Sequence, residues 1–268
     1  MKWILSLALV SFAVSRSSRV QAEISSNPSS YDSGNPNTTW SKVILIGDSI
    51  TQGAFFVENG CWGTLLAHNL QRVSDVVDRG FSGYTTRSIR AILPDILTKD
   101  DYEKAACFVI LLGSNDCVDN RSFQHVPIEP FKDNLNWIIN YIKGQGVSSD
   151  KIILMTPPVY NNDAFAKAQG YPPNMAVRHP EGYANVSKQV AEENQVTSLD
   201  LYSITKNHPD WQSLLVDGLH LNNAGAKVVF DSLWPLVYNR IVAFHGSFTQ
   251  KFPPYDVIEK SLNEDWKN

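Results

Sequence analysis

From residue 42 onward, short apolar runs alternate with stretches of helical spacing. The apolar runs occupy residues 42–47, 74–78, 105–113, 151–156 and 196–201. Most are closed by Gly, Asp or Pro. Runs of this length and ending suit strands buried on both faces of a parallel sheet. Between them, CWGTLLAHNLQRV puts Trp62, Leu65, Leu66 and Leu70 on one face of a helix. Thr85 or Thr86 is placed to cap a helix running through SIRAILPDIL, where Pro94 should kink or end it. PFKDNLNWIINYIKG has Pro130 in its first turn and Gly144 at its end. Two further helices are expected at 181–195 and 223–244, the second interrupted by Pro235. Residues 159–180, rich in Pro, Asn and Gly, read as a long irregular loop, which in a compact domain is usually functional or mobile. Five strand–helix alternations predict an α/β domain, a parallel sheet with helices on both faces.

The ends of the chain read differently. Lys2, the apolar residues 3–14 and Val20-Gln21-Ala22 form a secretory signal pattern over residues 1–22. An apolar run this short falls below the ~20 residues that span a bilayer, so cleavage is expected and no stable membrane anchor would remain. Residues 23–41, rich in Ser, Asn and Pro, read as a flexible lead-in to a domain at 42–245. The polar tail 246–268 is expected to lie over the surface. Loss of Lys2, Arg16 and Arg19 leaves 20 basic against 27 acidic residues, a net of -7 in place of -4. With no basic cluster, a nucleic-acid partner has no electrostatic support. Sequons at Asn37, Asn120 and Asn185 agree with a secreted or lumenal destination.

Three cysteines are present, Cys61, Cys107 and Cys117. Cys107 sits in the apolar run AACFVILL and reads as a buried small hydrophobe. Cys61 and Cys117 each follow a predicted strand; if those strands are neighbours they can form a bridge, and the alternative is three free thiols. No CxxC or Cys/His cluster suggests a metal.

The candidate chemistry begins at VILIGDSITQG, which places Ser49 just past the carboxyl end of the first strand. That end is where open α/β sheets bind ligands. A serine hydroxyl needs a base to become a nucleophile. Asp217 and His220 are three residues apart, so a turn can present carboxylate and imidazole together. His220 would accept the Ser49 proton, and Asp217 would fix its tautomer. Three donors are placed to hold an oxyanion: the amide of Ser49, the amide of Gly83 and the side-chain amide of Asn115. Asp48 is placed either to help position the site or to cap the segment after the strand. Trp62 and Tyr84 line either a substrate pocket or the core. The nucleophile motif G-x-S-x-G is absent.

Four blocks, Gly47-Asp48-Ser49-Ile50, Ser82-Gly83-Tyr84-Thr85, Gly113-Ser114-Asn115-Asp116 and Asp217-Gly218-Leu219-His220, together resemble the SGNH, or GDSL-like, hydrolase superfamily. ILIGDSITQG, DRGFSGYTTR, DGLHLNNAG and SLWPLV resemble its isoamyl acetate-hydrolysing esterase subgroup, although Asp78 stands where that subgroup often has Asn. The resemblance implies a three-layer α/β/α, flavodoxin-like fold with a five-stranded parallel sheet of order 2-1-3-4-5. It makes strands one and three adjacent, which a Cys61–Cys117 bridge would require. It also implies a small-molecule ester substrate, no cofactor and no metal. The expected activity is that of a secreted serine esterase acting on short-chain acyl or acetyl esters. Alternatives are a carbohydrate O-acetyl esterase and a non-catalytic binding protein on the same fold.

Overall fold

A computed structural model describes residues 39–172, 174–252 and 254–265. The sequon Asn37, the signal pattern and most of the lead-in lie outside the described residues. The chain runs β1 (Ser41–Gly47), α1 (Ser49–Gln52), α2 (Trp62–Asn69), β2 (Ser74–Gly80), α3 (Thr86–Ile96), α4 (Lys99–Lys104), β3 (Ala105–Leu111), α5 (Ile128–Gly144), β4 (Ile152–Met155), α6 (Asn162–Gln169), α7 (Pro180–Glu193), β5 (Thr197–Leu199), α8 (Leu201–Lys206), α9 (Asn223–His245) and α10 (Tyr255–Asp265). All five strands are parallel, in the order β2-β1-β3-β4-β5.

Alternating residues of each central strand face opposite layers. Ile44, Ile46, Phe108, Ile110, Ile152 and Leu154 pack against the side that carries α3, α5 and α7. Val43, Leu45, Cys107, Val109, Ile153 and Met155 pack against α2 and α9. This two-sided burial explains why the strands read as unbroken apolar runs rather than as polar–apolar alternation.

The cysteines follow the same partition, which corrects one expectation. Cys61, Cys107 and Cys117 are free thiols. β1 and β3 are adjacent, as a bridge would need, but Cys117 lies in the core layer beneath α3 and α5 while Cys61 packs on the α2–α9 layer. The sheet separates them. Cys117 Sγ donates instead to Ser114 O at 3.5 Å.

Three other segments differ from their sequence reading, while Pro94 falls inside its helix as read. Pro235 does not interrupt α9; it and Asp231, the residue whose carbonyl a proline there cannot pair, are both exposed. Pro94 lies inside α3, two residues before its end. The 159–180 segment contains α6, capped by the Asn161 side chain and ended by Gly170 in the left-handed region. The tail contains α10, and before it Lys251 N–H donates to Arg72 O at 2.6 Å. Among the described residues no helix is long and apolar enough to cross a membrane.

The thiol arrangement is testable by titration. Burial pushes the Cys107 and Cys117 thiols up to about 12. One thiol, Cys61, should react with a disulfide reagent in the native protein, and all three should react in denaturant without prior reduction. A native bridge, by contrast, would leave one reactive thiol in denaturant and would stabilise the fold by ~2–5 kcal/mol, so that reductant lowered Tm.

Candidate active site

The parallel register sets the geometry of the site. Gly47 pairs with Gly80 on one side and with Leu111 on the other, so β1, β2 and β3 end level. The ladder continues one step through Phe81 N–H to Gly47 O at 3.0 Å. Ser49, Gly83 and Asn115 therefore emerge from three neighbouring strands at one rim of the sheet. Asp48 caps α1 by accepting from Ile50 N–H at 2.9 Å. Ser49 takes the first helical position, where a backbone N–H has no acceptor within its own helix.

Residues 215–221 fold back so that Leu215 and Leu221 pair antiparallel, and Val216 N–H donates to His220 O at 2.8 Å. The turn between them carries Asp217 and His220. Gly218, at its tip, has φ +92° and packs so closely on Asn161 O and Phe165 N that a side chain would collide with both at 2.6 Å. The Asp217 carboxylate accepts from the Leu219 and His220 amides at 2.9 and 2.8 Å. Its second oxygen lies 2.7 Å from His220 Nδ1. On the other edge of the ring, Nε2 is 2.9 Å from Ser49 Oγ. The bonds define the tautomer: Nδ1–H donates to Asp217, which leaves Nε2 to accept from the serine hydroxyl. Burial would raise the Asp217 carboxyl, but His220 and the two amides outweigh it and hold the group at about 2.

The oxyanion side is fixed by a second set of bonds. Gly83, in the turn after β2, has φ +80°, a conformation that residues with a Cβ rarely adopt. Gln52 Oε1 accepts from the neighbouring Ser82 N–H at 2.8 Å, and Gln124 Nε2 donates to Gly83 O at 2.8 Å. Asn115 Nδ2 spends one hydrogen on Tyr84 O at 2.9 Å, which leaves its other hydrogen for a ligand. Asp116, wholly buried, accepts from Thr86 N–H at 2.9 Å and from Thr86 Oγ1 at 2.5 Å. It thus ties the start of α3 to the Asn115 turn. Asp78, the departure from the subgroup pattern, accepts from Gly80 N–H at 2.7 Å, a role an Asn carbonyl oxygen also fills.

Two expected pocket residues are corrected. Trp62 is fully buried, and its indole N–H donates to Ile50 O at 3.1 Å. Its ring is core beneath α1, not a substrate wall. The Tyr84 ring stacks on Phe81 at 5.3 Å between centroids and packs against the core; what faces the site is its carbonyl. The walls come from elsewhere. A cleft of about 300 Å³ opens beside Ser49 and His220, with Ile50, Phe56, Val216 and Leu221 as apolar walls and Gln52, Asn59 and Ser82 as polar ones. Phe56 and Val216 are about half exposed at its mouth. Sequence reasoning missed Phe56, Val216, Gln52 and the anchoring role of Asp116. The adjacency of Asp116 to the Asn block was visible, whereas the wall residues lie in segments with no periodic signal.

A nucleophile–imidazole–carboxylate chain facing backbone and side-chain amide donors at a parallel-sheet rim is the arrangement of a serine hydrolase. The comparisons with known proteins agree. Residues 45–228 match the model of the GDSL-like Lipase/Acylhydrolase family, and the chain belongs to that family. It is a GDSL-type esterase, a serine carboxylic-ester hydrolase. It is 39% identical over 216 residues to the isoamyl acetate-hydrolyzing esterase 1 homolog of Bos taurus, covering 78% of this chain and 86% of that one. Identity to the Homo sapiens homolog is 36% over 208 residues, covering 75% and 83%. Among solved structures, a lipase/acylhydrolase from Enterococcus faecalis superposes with TM-score 0.59 at 23% identity, covering 80% of this chain and all of that one. An acetyl-xylooligosaccharide esterase from Geobacillus superposes with TM-score 0.55 at 24% identity, covering 74% and 94%. These two structures speak to the fold.

The buried carboxylates give the site a pH signature. Burial raises Asp116 to about 7 against the bonds from Thr86, and the nearby Asp48 charge adds to the rise. Burial likewise raises Asp48 to about 6 against the Ile50 amide and the charges of His220 and Arg178. Both stand above the unfolded value of 3.8. The native state therefore binds more protons than the unfolded chain between those limits, and stability falls as pH rises through them. Tm should rise as pH is lowered from 8 to ~5, and Asp116→Asn should flatten that slope. A slope of the opposite sign in the parent protein would show these carboxylates to be ionised in the fold.

Proposed function

We propose that this chain is a secreted serine esterase that hydrolyses small, apolar carboxylic esters through an acyl-enzyme on Ser49. The observation that carries the reading is the 2.9 Å bond from Ser49 Oγ to His220 Nε2 at the floor of an apolar cleft. Ser49 Oγ attacks the ester carbonyl while its proton passes to His220 Nε2. Asp217 holds the imidazolium that forms. The carbonyl oxygen, now negative, accepts from the amides of Ser49 and Gly83 and from the free Asn115 side-chain hydrogen. His220 then gives its proton to the departing alkoxide. A water molecule, deprotonated by His220, repeats the sequence on the acyl-enzyme and releases the acid.

The apolar walls Ile50, Phe56, Val216 and Leu221 support an alkyl substrate, whereas Gln52, Asn59 and Ser82 are the groups a sugar would have to use. Each methylene buried there is worth ~0.8 kcal/mol, about fourfold in kcat/KM. On p-nitrophenyl esters, kcat/KM should climb from acetyl to medium chains at about that increment and then level off. Ser49→Ala and His220→Ala should remove turnover while leaving the circular dichroism spectrum unchanged. Faster turnover of acetylated xylo-oligosaccharides than of any alkyl ester would replace this substrate assignment with glycan deacetylation.

Export is supported by the leader pattern and by the exposure of Asn120 and Asn185. Asn185 lies on the solvent face of α7, whereas the Ser187 hydroxyl of its sequon is buried against Tyr183 O at 2.9 Å. Expressed in eukaryotic cells, the protein should appear in the medium beginning near Glu23 and should lose mass on treatment with an N-glycosidase. Retention in the cytosol with Met1 intact would contradict export.

A further inference from the structure

The 159–180 segment delivers a charge to the back of the active site. Arg178 is only 6% exposed. Its backbone pairs antiparallel with Val118, flanked by Asp119 N–H to Val177 O at 2.7 Å and His179 N–H to Cys117 O at 2.9 Å. Its own N–H donates to Asn162 Oδ1 at 3.0 Å. The guanidinium stacks against the rings of Tyr160 and Phe165, 5.0 and 4.8 Å from their centroids. Nε donates to Ser114 O at 2.7 Å, and Nη1 donates to Tyr160 OH and Ala176 O at 3.2 and 3.4 Å.

Every one of those acceptors is neutral. Among the described residues, none of the hydrogen-bond partners of Arg178 is a carboxylate. A buried guanidinium is normally paired, because removing an ion from water is costly. Here the cost is met by aromatic faces and carbonyl oxygens, with no direct ion pair to the guanidinium; the carboxyl that feels its charge is that of buried Asp48. Its position is specific. Ser114 O belongs to the peptide bond that leads into Asn115, one of the three oxyanion donors, and the charge is felt at Asp48, next to Ser49. A fixed charge in a partly dry site acts on whatever charge develops beside it, with no reorganisation at the moment of reaction.

We propose that Arg178 is a positioning residue for acyl transfer at Ser49: its charge, in no direct ion pair and held behind the Ser114–Asn115 turn, biases the oxyanion site toward negative charge. This rests on the serine-esterase reading. The charge acts on the transition state rather than on the neutral ester, so it lowers the barrier without tightening ground-state binding. It also gives the 159–180 segment a purpose, since Asn162 and Phe165 of α6 hold Arg178 in place.

Three proteins test it on p-nitrophenyl butyrate: the parent, Arg178→Met and Arg178→Lys. Arg178→Met keeps an apolar stem and loses the charge. It should lower kcat by about 10- to 100-fold, less than loss of a direct oxyanion donor, with KM within about threefold. Arg178→Lys keeps a charge but not the planar fork, and should retain activity within about fivefold of the parent. A trifluoromethyl ketone provides the second readout. Ser49 Oγ adds to its carbonyl, the carbonyl electron pair moves to oxygen, and the serine proton goes to His220. Its affinity for Arg178→Met should fall in step with kcat/KM. Equal losses in the Lys and Met variants, or a raised KM with kcat unchanged, would overturn the proposal in favour of a purely structural clamp. Full activity of Arg178→Met would overturn it outright. If Arg178→Met does not fold, Arg178→Lys decides alone: activity within fivefold supports the charge, and a larger loss refutes it. Failure of the underlying reading is distinct, because then Ser49→Ala would turn over ester as fast as the parent.

Discussion

The hydrogen bond between His220 and Ser49 joins residues 171 positions apart at 2.9 Å, and much of the architecture serves to hold its two ends. One end is fixed by the strand register, which brings β1, β2 and β3 to a common rim. The other hangs on a short turn after the last strand, pinned by the Leu215–Leu221 pair and by Asn161 N–H donating to Gly218 O at 2.8 Å. The imidazole therefore depends on the β4 loop as well as on its own segment. A proton can move between serine and imidazole only when both anchors hold.

Around this bond the protein buries more charge than a stable core needs. Asp48 and Asp116 are wholly buried, and Arg178 nearly so. Each is secured locally, Asp48 by the Ile50 amide, Asp116 by Thr86 and Arg178 by Ser114 O. Their common effect is positional. Asp48 starts the helical turn that orients Ser49. Asp116 holds α3 against the Asn115 turn. Removing water from such groups costs stability and, in exchange, strengthens every remaining electrostatic interaction in the site.

Much of this was legible in the sequence because it is local or periodic. The strands are apolar runs closed by Gly or Asp, and all five appear in place, with edges shifted by one or two residues. Asp217 and His220 are close in sequence, so their pairing could be inferred from a single turn. The resemblance supplied the strand order, which no pattern of residues gives. What failed was long-range side-chain placement. Trp62 and Tyr84 are aromatic and near the motifs, yet face the core, because only the tertiary packing decides on which side of α2 and of the turn after β2 a ring falls. Cys61 and Cys117 follow adjacent strands but lie on opposite layers of the sheet. Pro235 suggests a break, yet α9 runs through it where the helix face is exposed. Arg178 left no local signal at all, since its partners lie in the turn after β3 and in a segment that reads as loop.

The central claim is that Ser49 is a nucleophile because His220 takes its proton. A fluorophosphonate probe followed by peptide mass spectrometry tests that claim directly. The account predicts one covalent adduct, on Ser49, forming quickly in the parent protein and at least about a thousandfold more slowly in His220→Ala. An adduct on another residue, or labelling of Ser49 at an unchanged rate without the imidazole, would contradict it.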